Sequence, residues 1–328
     1  MKPISLIIGF FLTYATGIAQ VEVNHITKLM GSRFELAAVA QTDTLAWEAI
    51  HAGVAEITRI ERLISSWDPT SQTSEINRKA GIAPVAVADE LFQLIQRGKK
   101  VSQLTQGAFD LSFASIENIW RFDGSMKGLP DSIMVEGSVR FINYQQIILA
   151  PEKRTVFLKT PEMKIGFGAI GKGYAANRAA AIMQERGIIS GLVNAGGDLL
   201  AWGTRANGTP WKIGIADPEQ KDQVKCWIPI EDMAVVTSGD YEKFLEFNGV
   251  RYGHIIDPRT GWPAQGLKSV TVICSDAELA DALATSVFVL GLKDGMGLIN
   301  QLKGVEALII DASNQFHQSQ NLNLNFYK

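Results

Sequence analysis

The clearest pattern along the chain is an apolar stripe at helical spacing between Asp43 and Ser65. Apolar side chains that recur every three or four residues predict an amphipathic helix with one buried face. Thr42 or Asp43 offers a side-chain oxygen that can cap the first turn of this helix. The stripe consists of Ala46, Ile50, Val54, Ile57, Ile60 and Ile64.

Other helices are predicted from the same kind of pattern. They span Ala88–Thr105, Pro130–Asn143, the alanine-rich run up to Arg186, and Ser275–Leu290. The last of these begins with the capping box Ser275-x-x-Glu278, in which two side chains bind the free N–H groups of the first turn. It ends at Gly291, because glycine readily adopts the left-handed conformation that terminates helices.

Short runs of β-branched and aromatic residues between turn residues predict strands. An opening strand pair spans 23–39 and is interrupted by a turn at 30–32, and 192–203 is interpreted as a buried strand ending in a glycine turn. The other predicted strands are Gln146–Leu149, Thr155–Leu158, Met163–Ile165, Ile188–Val193, Trp211–Ala216, Val224–Ile230, Ala234–Thr237, Val270–Cys274 and Ala307–Asp311. No change of composition divides the chain, so residues 21–328 are predicted to form one mixed α/β domain.

Composition narrows the class of protein without naming a function. The 328 residues are 46% hydrophobic and 20% charged, which is typical of a soluble globular protein. The net charge of −3 provides no basic field that would favour nucleic acid. Cys226 and Cys274 could pair in an oxidising compartment or be two buried thiols on separate strands, and neither has the spacing of a metal ligand.

The first nineteen residues have the pattern of a signal peptide. Lys2 supplies a positive start, Ile4–Leu12 form a short apolar core, and 17–19 place small residues at a cleavage site after Ala19. We therefore expect an exported, periplasmic protein that begins near residue 20. An uncleaved membrane anchor is the alternative, although the apolar core is short for a stable span.

A glycine-rich loop from Gly166 to Tyr174 precedes the alanine-rich helix and is the most distinctive stretch of the chain. Such loops bring backbone N–H groups close to phosphate oxygens. A P-loop is disfavoured because Gly173 stands where a magnesium-binding Ser or Thr is required. A dinucleotide fingerprint is disfavoured because Glu185, the acidic residue at the right distance, falls inside the helix. Two interpretations of the loop stay open, namely a phosphate-binding loop of another family and a tight turn without a ligand.

Two further places carry candidate chemistry. His254 follows a predicted strand and precedes the turn 257–261, and among the four histidines it alone has polar, glycine-rich neighbours. It is therefore the candidate acid or base near neutral pH. Asp281 and Thr285 lie four residues apart on one helix face, and their hard oxygens suit Mg²⁺.

Six motifs in order along nearly the whole chain resemble the ApbE family of FAD:protein FMN transferases. They are Met30-Gly31-Ser32, Ser74-Glu-Ile-Asn77, Gly107-Ala-Phe-Asp110, Gly168-Ala-Ile-Gly-Lys-Gly-Tyr174, Asn194-Ala-Gly-Gly-Asp198, and His254-Ile-Ile-Asp-Pro258 with Asp281-x-x-x-Thr285. Each motif alone is weak, but six in this order are specific. The resemblance implies an α+β fold with mostly antiparallel, T-fold-like sheets flanked by helices.

The resemblance also implies an activity and a set of site residues. Family members split FAD in a Mg²⁺-dependent reaction, attach FMN through a phosphoester to a Ser or Thr of an acceptor protein, and release AMP. Lys172 would offset developing negative charge, and His254 would deprotonate the acceptor hydroxyl. The matching FAD contacts are Met30, Trp67, Ala108, Phe109, Asp110, Lys172 and Ile255. The matching magnesium ligands are the Ala169 carbonyl, Asp281 and Thr285.

Three positions depart from the family pattern. Trp67 stands where a tyrosine is often found, which preserves an aromatic ring for stacking, although a half-buried loop tryptophan is an equal interpretation. Gly166 and Asn177 stand where many members carry acidic residues, so a contact with the flavin nucleotide is expected to be absent at Gly166.

Three functions are compatible with these residues. The first is transfer to an acceptor, which the resemblance identifies as an exported flavoprotein subunit of a membrane redox complex, with at most peripheral membrane association of this chain. The second is a Mg²⁺-dependent FAD pyrophosphatase in which water replaces the acceptor hydroxyl. The third is a non-catalytic FAD carrier.

Overall fold

The computed structural model describes residues 20–116, 119–216, 220 and 223–322, and the predicted signal peptide, residues 1–19, lies outside them. The helices are α1 (Asp43–Ile64), α2 (Gln72–Arg78), α3 (Asp89–Leu104), α4 (Ser132–Val139), α5 (Gly171–Glu185) and α6 (Ala277–Ile299). Short 3₁₀ helices lie at Leu111–Ile116, Tyr144–Gln146 and Pro151–Lys153.

An antiparallel sheet of eight strands forms the centre of the fold. Its spatial order is β1-β2-β6-β7-β10-β13-β14-β15. These strands are β1 (Val21–Leu29), β2 (Ser32–Ala40), β6 (Ser190–Ala195), β7 (Asp198–Trp202), β10 (Met233–Gly239), β13 (Leu267–Cys274), β14 (Glu306–Asp311) and β15 (Phe316–Gln318). The predicted class, helices with mostly antiparallel sheets, is confirmed.

Smaller sheets surround the central one. One has the order β3-β5-β4, and two are hairpins, β8-β9 and β11-β12. Their strands are β3 (Val85–Ala86), β4 (Ile147–Ala150), β5 (Thr155–Leu158), β8 (Trp211–Ala216), β9 (Val224–Ile230), β11 (Phe244–Phe247) and β12 (Val250–Gly253). The hairpin β11-β12 leads directly into His254.

The central sheet separates two apolar cores. Helices α1, α5 and α6 pack on one face and bury the larger core. Trp211, Ile215 and Ile228 of the β8-β9 hairpin belong to a smaller core on the other side, where free Cys226 is buried as well. Cys274 of β13 is also buried and free, as expected for two buried thiols on separate strands.

Helix α1 forms as its apolar stripe predicts. The Thr42 side chain accepts a hydrogen bond from the Leu45 N–H at 3.2 Å and caps the first turn. All members of the stripe are buried except Val54, which is half-buried. The stripe holds the end of α1 against the start of α5, where the glycine-rich loop lies.

Helix α6 differs from its prediction in its cap. Asp276, rather than Ser275, caps the first turn, since its side chain accepts from the Leu279 N–H. Glu278 binds Arg97 instead of closing a capping box. The predicted break at Gly291 is confirmed, because its φ of +78° interrupts the helix. By length and composition α6 could cross a membrane, but half of its apolar window is buried inside this fold.

Some other predicted helices and strands were wrong, because the sequence pattern does not show which backbone groups bond to each other. Met163 and Ile165 are buried, but residues 163–165 form no strand because Asn77 replaces a partner strand. The Asn77 side chain accepts from the Ile165 N–H at 2.8 Å and donates to the Ile165 carbonyl at 3.0 Å. The stretch 192–203 contains two strands, β6 and β7, joined by a tight turn. The helix predicted over 130–143 is limited to α4, and β15 and α2 were not predicted.

Candidate active site

A cleft of about 540 Å³ opens between two walls of loops and ends on the start of α5 and the middle of α6. The β1-β2 turn and the end of α1 form one wall, and the segments around Ser238 and His254 form the other. The lining residues used below are Met30, Glu61, Trp67, Gly168, Lys172, Asp198, Ser238, Glu242, Lys243, His254, Ile255, Asp281 and Thr285.

Three charged side chains meet at the floor of this cleft. The Lys172 ammonium lies 2.9 Å from Asp198 Oδ2, and Asp281 is close enough to both residues to interact with their charges. Asp198 is 2% exposed and Asp281 is 4% exposed. Two buried carboxyl groups therefore face one ammonium group, and we call these three residues the cleft cluster.

Burial and mutual repulsion shift the pKa values in the cleft cluster. Burial first, and then the charge of Asp198, raise the pKa of Asp281 well above its usual value. Burial likewise raises the pKa of Asp198. Burial lowers the pKa of the Lys172 ammonium, but the charges of Asp198 and Asp281 outweigh it and raise this pKa overall. The lysine is therefore a permanent cation at neutral pH.

The glycine-rich loop serves close helix contact. A Cβ atom on Gly173 would lie 2.1 Å from the Ala277 carbonyl oxygen, so only glycine permits this approach of α5 to α6. The approach lets the Gly173 N–H donate to Asp281 Oδ2 at 3.1 Å. At least one N–H of this helix start therefore binds a carboxylate of the protein, which fixes Asp281 relative to Lys172.

A glycine turn places Asp198 in the cleft. Gly196 and Gly197, between β6 and β7, have φ values of +65° and +107°, which side chains with a Cβ atom rarely adopt. The Asn194 side chain accepts from the Gly197 N–H at 2.9 Å and closes the turn. The motif Asn194–Asp198 is thus a turn that aims one carboxylate at Lys172.

Two of the three expected magnesium ligands line the cleft, and the third, Ala169, does not. Asp281 and Thr285 share a face of α6 and line the cleft together, and the Thr285 hydroxyl lies 3.3 Å from the Ser238 hydroxyl. Ala169 follows the lining residue Gly168 and packs half-buried on the core. Among the described residues no group of three His, Cys, Asp or Glu side chains has a metal-binding arrangement.

The donor chemistry nevertheless fits a hard divalent cation. Mg²⁺ is usually held by one or two carboxylates together with substrate phosphates and waters. Asp281 and the neighbouring Asp198 place two carboxyl groups beside the single ammonium of Lys172, and a divalent cation would favour their ionised forms. The Asp281 carboxylate, the Thr285 hydroxyl and the Ala169 carbonyl are therefore suitable ligands for Mg²⁺.

His254 lies on the opposite wall and carries a neutral ring. The backbone N–H of His254 donates to the Lys243 carbonyl at 2.9 Å, which extends the β11-β12 hairpin by one residue pair. The ring of Phe122 meets its ring edge-on at a centroid distance of 6.3 Å. Burial, with the positive charge of Lys243, lowers the pKa of His254 to about 4. Within the described residues, its Nδ1 is buried without a hydrogen-bond partner.

Four of the seven expected FAD contacts, Lys172 among them, line the cleft and three do not. Met30, Trp67 and Ile255 belong to the lining, and the Trp67 side chain is 78% exposed, which contradicts its interpretation as a half-buried loop residue. Ala108 and Phe109 are buried in the core. The structure does not place either in the cleft lining, and their contact with FAD stays a prediction.

Asp110 is likewise held inside the fold. Its carboxylate accepts from the Ser112 N–H and hydroxyl and from the Tyr144 N–H, at 2.7 to 2.8 Å. It is 5% exposed, and burial raises its pKa. Those bonds fix the 3₁₀ helix that follows, so a contact of Asp110 with FAD also stays a prediction.

Gly166 and Asn177, two of the positions that depart from the family pattern, lie outside the cleft lining and make structural hydrogen bonds. Gly166 is buried and its N–H donates to the Leu111 carbonyl at 2.9 Å. The Asn177 amide donates to Asp276 at 2.8 Å and accepts from the Ala277 N–H at 3.0 Å, so it braces the start of α6. In this chain both positions hold helix ends together.

Several cleft residues were not predicted as site residues. Asp198, Ser238, Glu61, Glu242 and Lys243 line the cleft, but only Asp198 had a signal in the sequence, namely paired glycines before a buried strand. Glu61 lies on α1, Ser238 on β10, and Glu242 and Lys243 on a loop, and their approach to the cleft depends on the tertiary fold.

Comparison with known proteins agrees with this geometry. The ApbE family model matches residues 30–309. A FAD:protein FMN transferase of Klebsiella pneumoniae is 33% identical over 284 residues, covering 86% of this chain and 87% of the relative. The Treponema pallidum protein of the same name is 32% identical over 282 residues, covering 80% of this chain and 77% of the relative.

Solved structures have the same fold. The crystal structure of an ApbE protein from Thermotoga maritima has a TM-score of 0.85 and 31% identity, covering 92% of this chain and 97% of the other. The apo flavinyl transferase ApbE of Pseudomonas stutzeri has a TM-score of 0.81 and 26% identity, covering 92% and 95%. This chain therefore belongs to the ApbE family.

Proposed function

We propose that this protein is a FAD:protein FMN transferase that moves FMN from FAD to a Ser or Thr hydroxyl of an acceptor protein and releases AMP. The observation that carries the proposal is that one cleft brings together His254, Lys172 and the Asp281–Thr285 pair. The names of its relatives support the same activity.

His254 is suited to accept the proton of the acceptor hydroxyl. Its lowered pKa leaves the ring neutral at pH 7, and its buried Nδ1 is without a partner among the described residues. As the hydroxyl oxygen bonds to the FMN phosphorus, its proton passes to the imidazole, and the bond to the bridging oxygen of AMP breaks. A serine or threonine hydroxyl needs such a base because its own pKa is too high for spontaneous attack.

Lys172 supplies fixed positive charge at the floor of the cleft. Because its pKa is raised, the ammonium stays charged while negative charge develops on the departing AMP. A Mg²⁺ ion, when bound at Asp281, Thr285 and the Ala169 carbonyl, supplies Lewis-acid stabilisation of the diphosphate. Trp67 offers an exposed ring on the rim for stacking on a planar group of FAD.

The proposal extends to where the protein acts. The signal-peptide pattern of residues 1–19 supports export to the periplasm. The acceptor is then an exported flavoprotein subunit that presents a Ser or Thr residue. The wall bearing His254 is the side from which this hydroxyl must enter, because the base has to contact it.

The test is a mass spectrum of an acceptor domain incubated with the mature protein, FAD and Mg²⁺, with AMP and free FMN measured in parallel. We expect a gain of one FMN mass on a Ser or Thr of the acceptor, an equal amount of AMP, and loss of both on adding EDTA. AMP with free FMN and an unlabelled acceptor would replace the transferase by a pyrophosphatase. Bound FAD without AMP would replace it by a carrier.

A further inference from the structure

Asp198 is a buried carboxylate in the cleft that the proposed reaction leaves without a role. It is the first residue of β7, is 2% exposed, and lies 2.9 Å from the Lys172 ammonium. Its side chain lines the cleft together with that of Asp281, whose charge it influences. Asp198 thus stands between the lysine and the carboxylate that act on the diphosphate.

A purely structural reason does not account for this placement. Buried ion pairs are often no more stable than apolar replacements of similar size. Two carboxyl groups, each less than 5% exposed, beside a single ammonium add to that cost. Stability alone would favour an apolar or amide side chain at this position, so the cost points to the reaction.

The geometry gives Asp198 something specific to do. The Lys172 side chain has a flexible stem of four methylene groups and is 26% exposed. Without a partner, its ammonium would be free to move from the cleft floor into the solvent of the cleft. Asp198 is held on a central strand by a closed glycine turn and cannot follow. A fixed carboxylate therefore restricts the ammonium to one position.

We propose that Asp198 is a positioning residue of the transfer reaction, which holds the Lys172 ammonium at the cleft floor beside Asp281. This proposal rests on the proposed function. A displacement of a charged group by about 1 Å can cost about 100-fold in rate, so loss of the tether is expected to lower kcat far more than substrate binding.

The first test measures the position of Lys172 without any turnover. Lysine side chains of the wild type and of Asp198→Asn are acetylated with an N-hydroxysuccinimide ester, and labelling is quantified by mass spectrometry. We expect Lys172 to react about tenfold faster in the variant, because its ammonium leaves the buried pair. Exposed Lys243, on the opposite wall, serves as the internal reference and is expected to be unchanged. Unchanged labelling of Lys172 would overturn the proposal.

The second test is a double-mutant cycle on transfer. Asp198→Asn and Lys172→Met are each expected to lower kcat by about 30- to 100-fold with the KM for FAD within about threefold. The double variant should be no slower than the slower single variant, because both changes remove one interaction. Losses that multiply, or a kcat of Asp198→Asn within about threefold of the wild type, would contradict positioning. Asp198→Glu, which keeps the charge, should recover part of kcat.

A control variant separates positioning from stability. Glu278→Gln removes another buried carboxylate, which lies on α6, binds Arg97 of α3 and is outside the cleft lining. It is expected to lower Tm and to leave Lys172 labelling and kcat unchanged. If the wild type transferred no FMN while Asp198→Asn still exposed Lys172, the proposed function would fail and the tether would stand.

Discussion

Helices α5 and α6 carry two groups of partly buried charges, and the two groups are built in opposite ways. One is the cleft cluster, in which Lys172 of α5 meets Asp281 of α6 and Asp198. The other lies where α1 and α3 pack against these two helices. It consists of Glu56, Arg59, Glu90, Arg97, Arg178 and Glu278, which we call the ion-pair network.

The ion-pair network is balanced, with three carboxylates and three guanidinium groups. Arg59 makes paired bonds to Glu90 at 2.7 Å and to Glu56 at 2.8 Å. Arg97 grips Glu278 with bonds of 2.7 and 2.9 Å. Hydrogen bonds to arginine lower the pKa values of Glu56 and Glu90. These residues join α1, α3, α5 and α6, and every charge has a partner of opposite sign.

The cleft cluster lacks this balance. Two buried carboxyl groups share one ammonium; burial raises the pKa of both, and the charge of Asp198 raises that of Asp281 further. Balanced ion pairs thus occur where the helices pack together, and an excess of carboxyl groups occurs in the cleft, where the proposed reaction would bind a cation and a diphosphate. An excess of buried carboxyl groups lowers the stability of a fold. Such clusters are therefore found mainly at functional sites.

Removing the carboxylate of the metal site should have the largest effect on transfer. Asp281→Asn is expected to lower the transfer rate by about 1,000-fold, because both charge stabilisation and cation binding are lost. Its Tm should stay equal or rise, since the repulsion with Asp198 is removed. Steady-state kinetics and calorimetry check the two parts. A large fall in Tm would place Asp281 with the structural charges instead.

Loss of the base is expected to be next in size. His254→Gln should lower transfer by about 100-fold while FAD binding, followed by flavin fluorescence, stays within about threefold. His317→Gln is the matched control, since His317 bonds Asp311 near the end of the central sheet. Transfer by His254→Gln at the wild-type rate would exclude His254 as the base.

The charge state of His254 can be measured directly. Its pKa of about 4 means that the folded protein keeps the ring neutral where the unfolded chain, near 6.5, takes up a proton. The unfolded state then binds more protons, so this contribution to stability is lost as pH falls from about 6.5 towards 4. Nitrogen NMR of the four histidines should find one ring neutral at pH 5 that is absent in His254→Gln. A midpoint near 6.5 for this ring would contradict its burial.

Trp67 tests the cleft without touching either group of charges. Trp67→Ala is expected to raise the KM for FAD by about tenfold through lost stacking. Unfolding should change by less than about 0.5 kcal/mol, because the side chain is 78% exposed. Trp67→Phe should keep most of the affinity. An unchanged KM in Trp67→Ala would remove Trp67 from the FAD contacts.

The ion-pair network should show the opposite response, with the smallest effect on rate. Arg97→Ala is expected to cost about 1–3 kcal/mol of unfolding free energy, because Glu278 stays buried without a partner. The kcat of folded protein should stay within about twofold. Arg97→Met with Glu278→Leu should restore Tm. A rate loss larger than tenfold would show that the two groups of charges act as one.

Local patterns determined much of the fold. The apolar stripe of α1, the glycine at 291 that interrupts α6, and most strands followed from residues close together in sequence, because period and turn chemistry act over a few residues. The prediction of local structure failed where that structure depends on a residue distant in sequence. Asn77 binds the backbone at Ile165 in place of a strand, and Asn177 and Asp276 together hold the start of α6.

The site divides along the same line. Ordered motifs were enough to single out Lys172, His254, Asp281 and Thr285, since each lies at a glycine turn or on a helix face that a short pattern reveals. Only the tertiary structure set Asp198 against Lys172 and Asp281, residues that are 26 and 83 positions away from it. Sequence determines which side chains can carry charge, but the repulsion and burial that shift their pKa values arise from distances that only the packed sheet and helices decide.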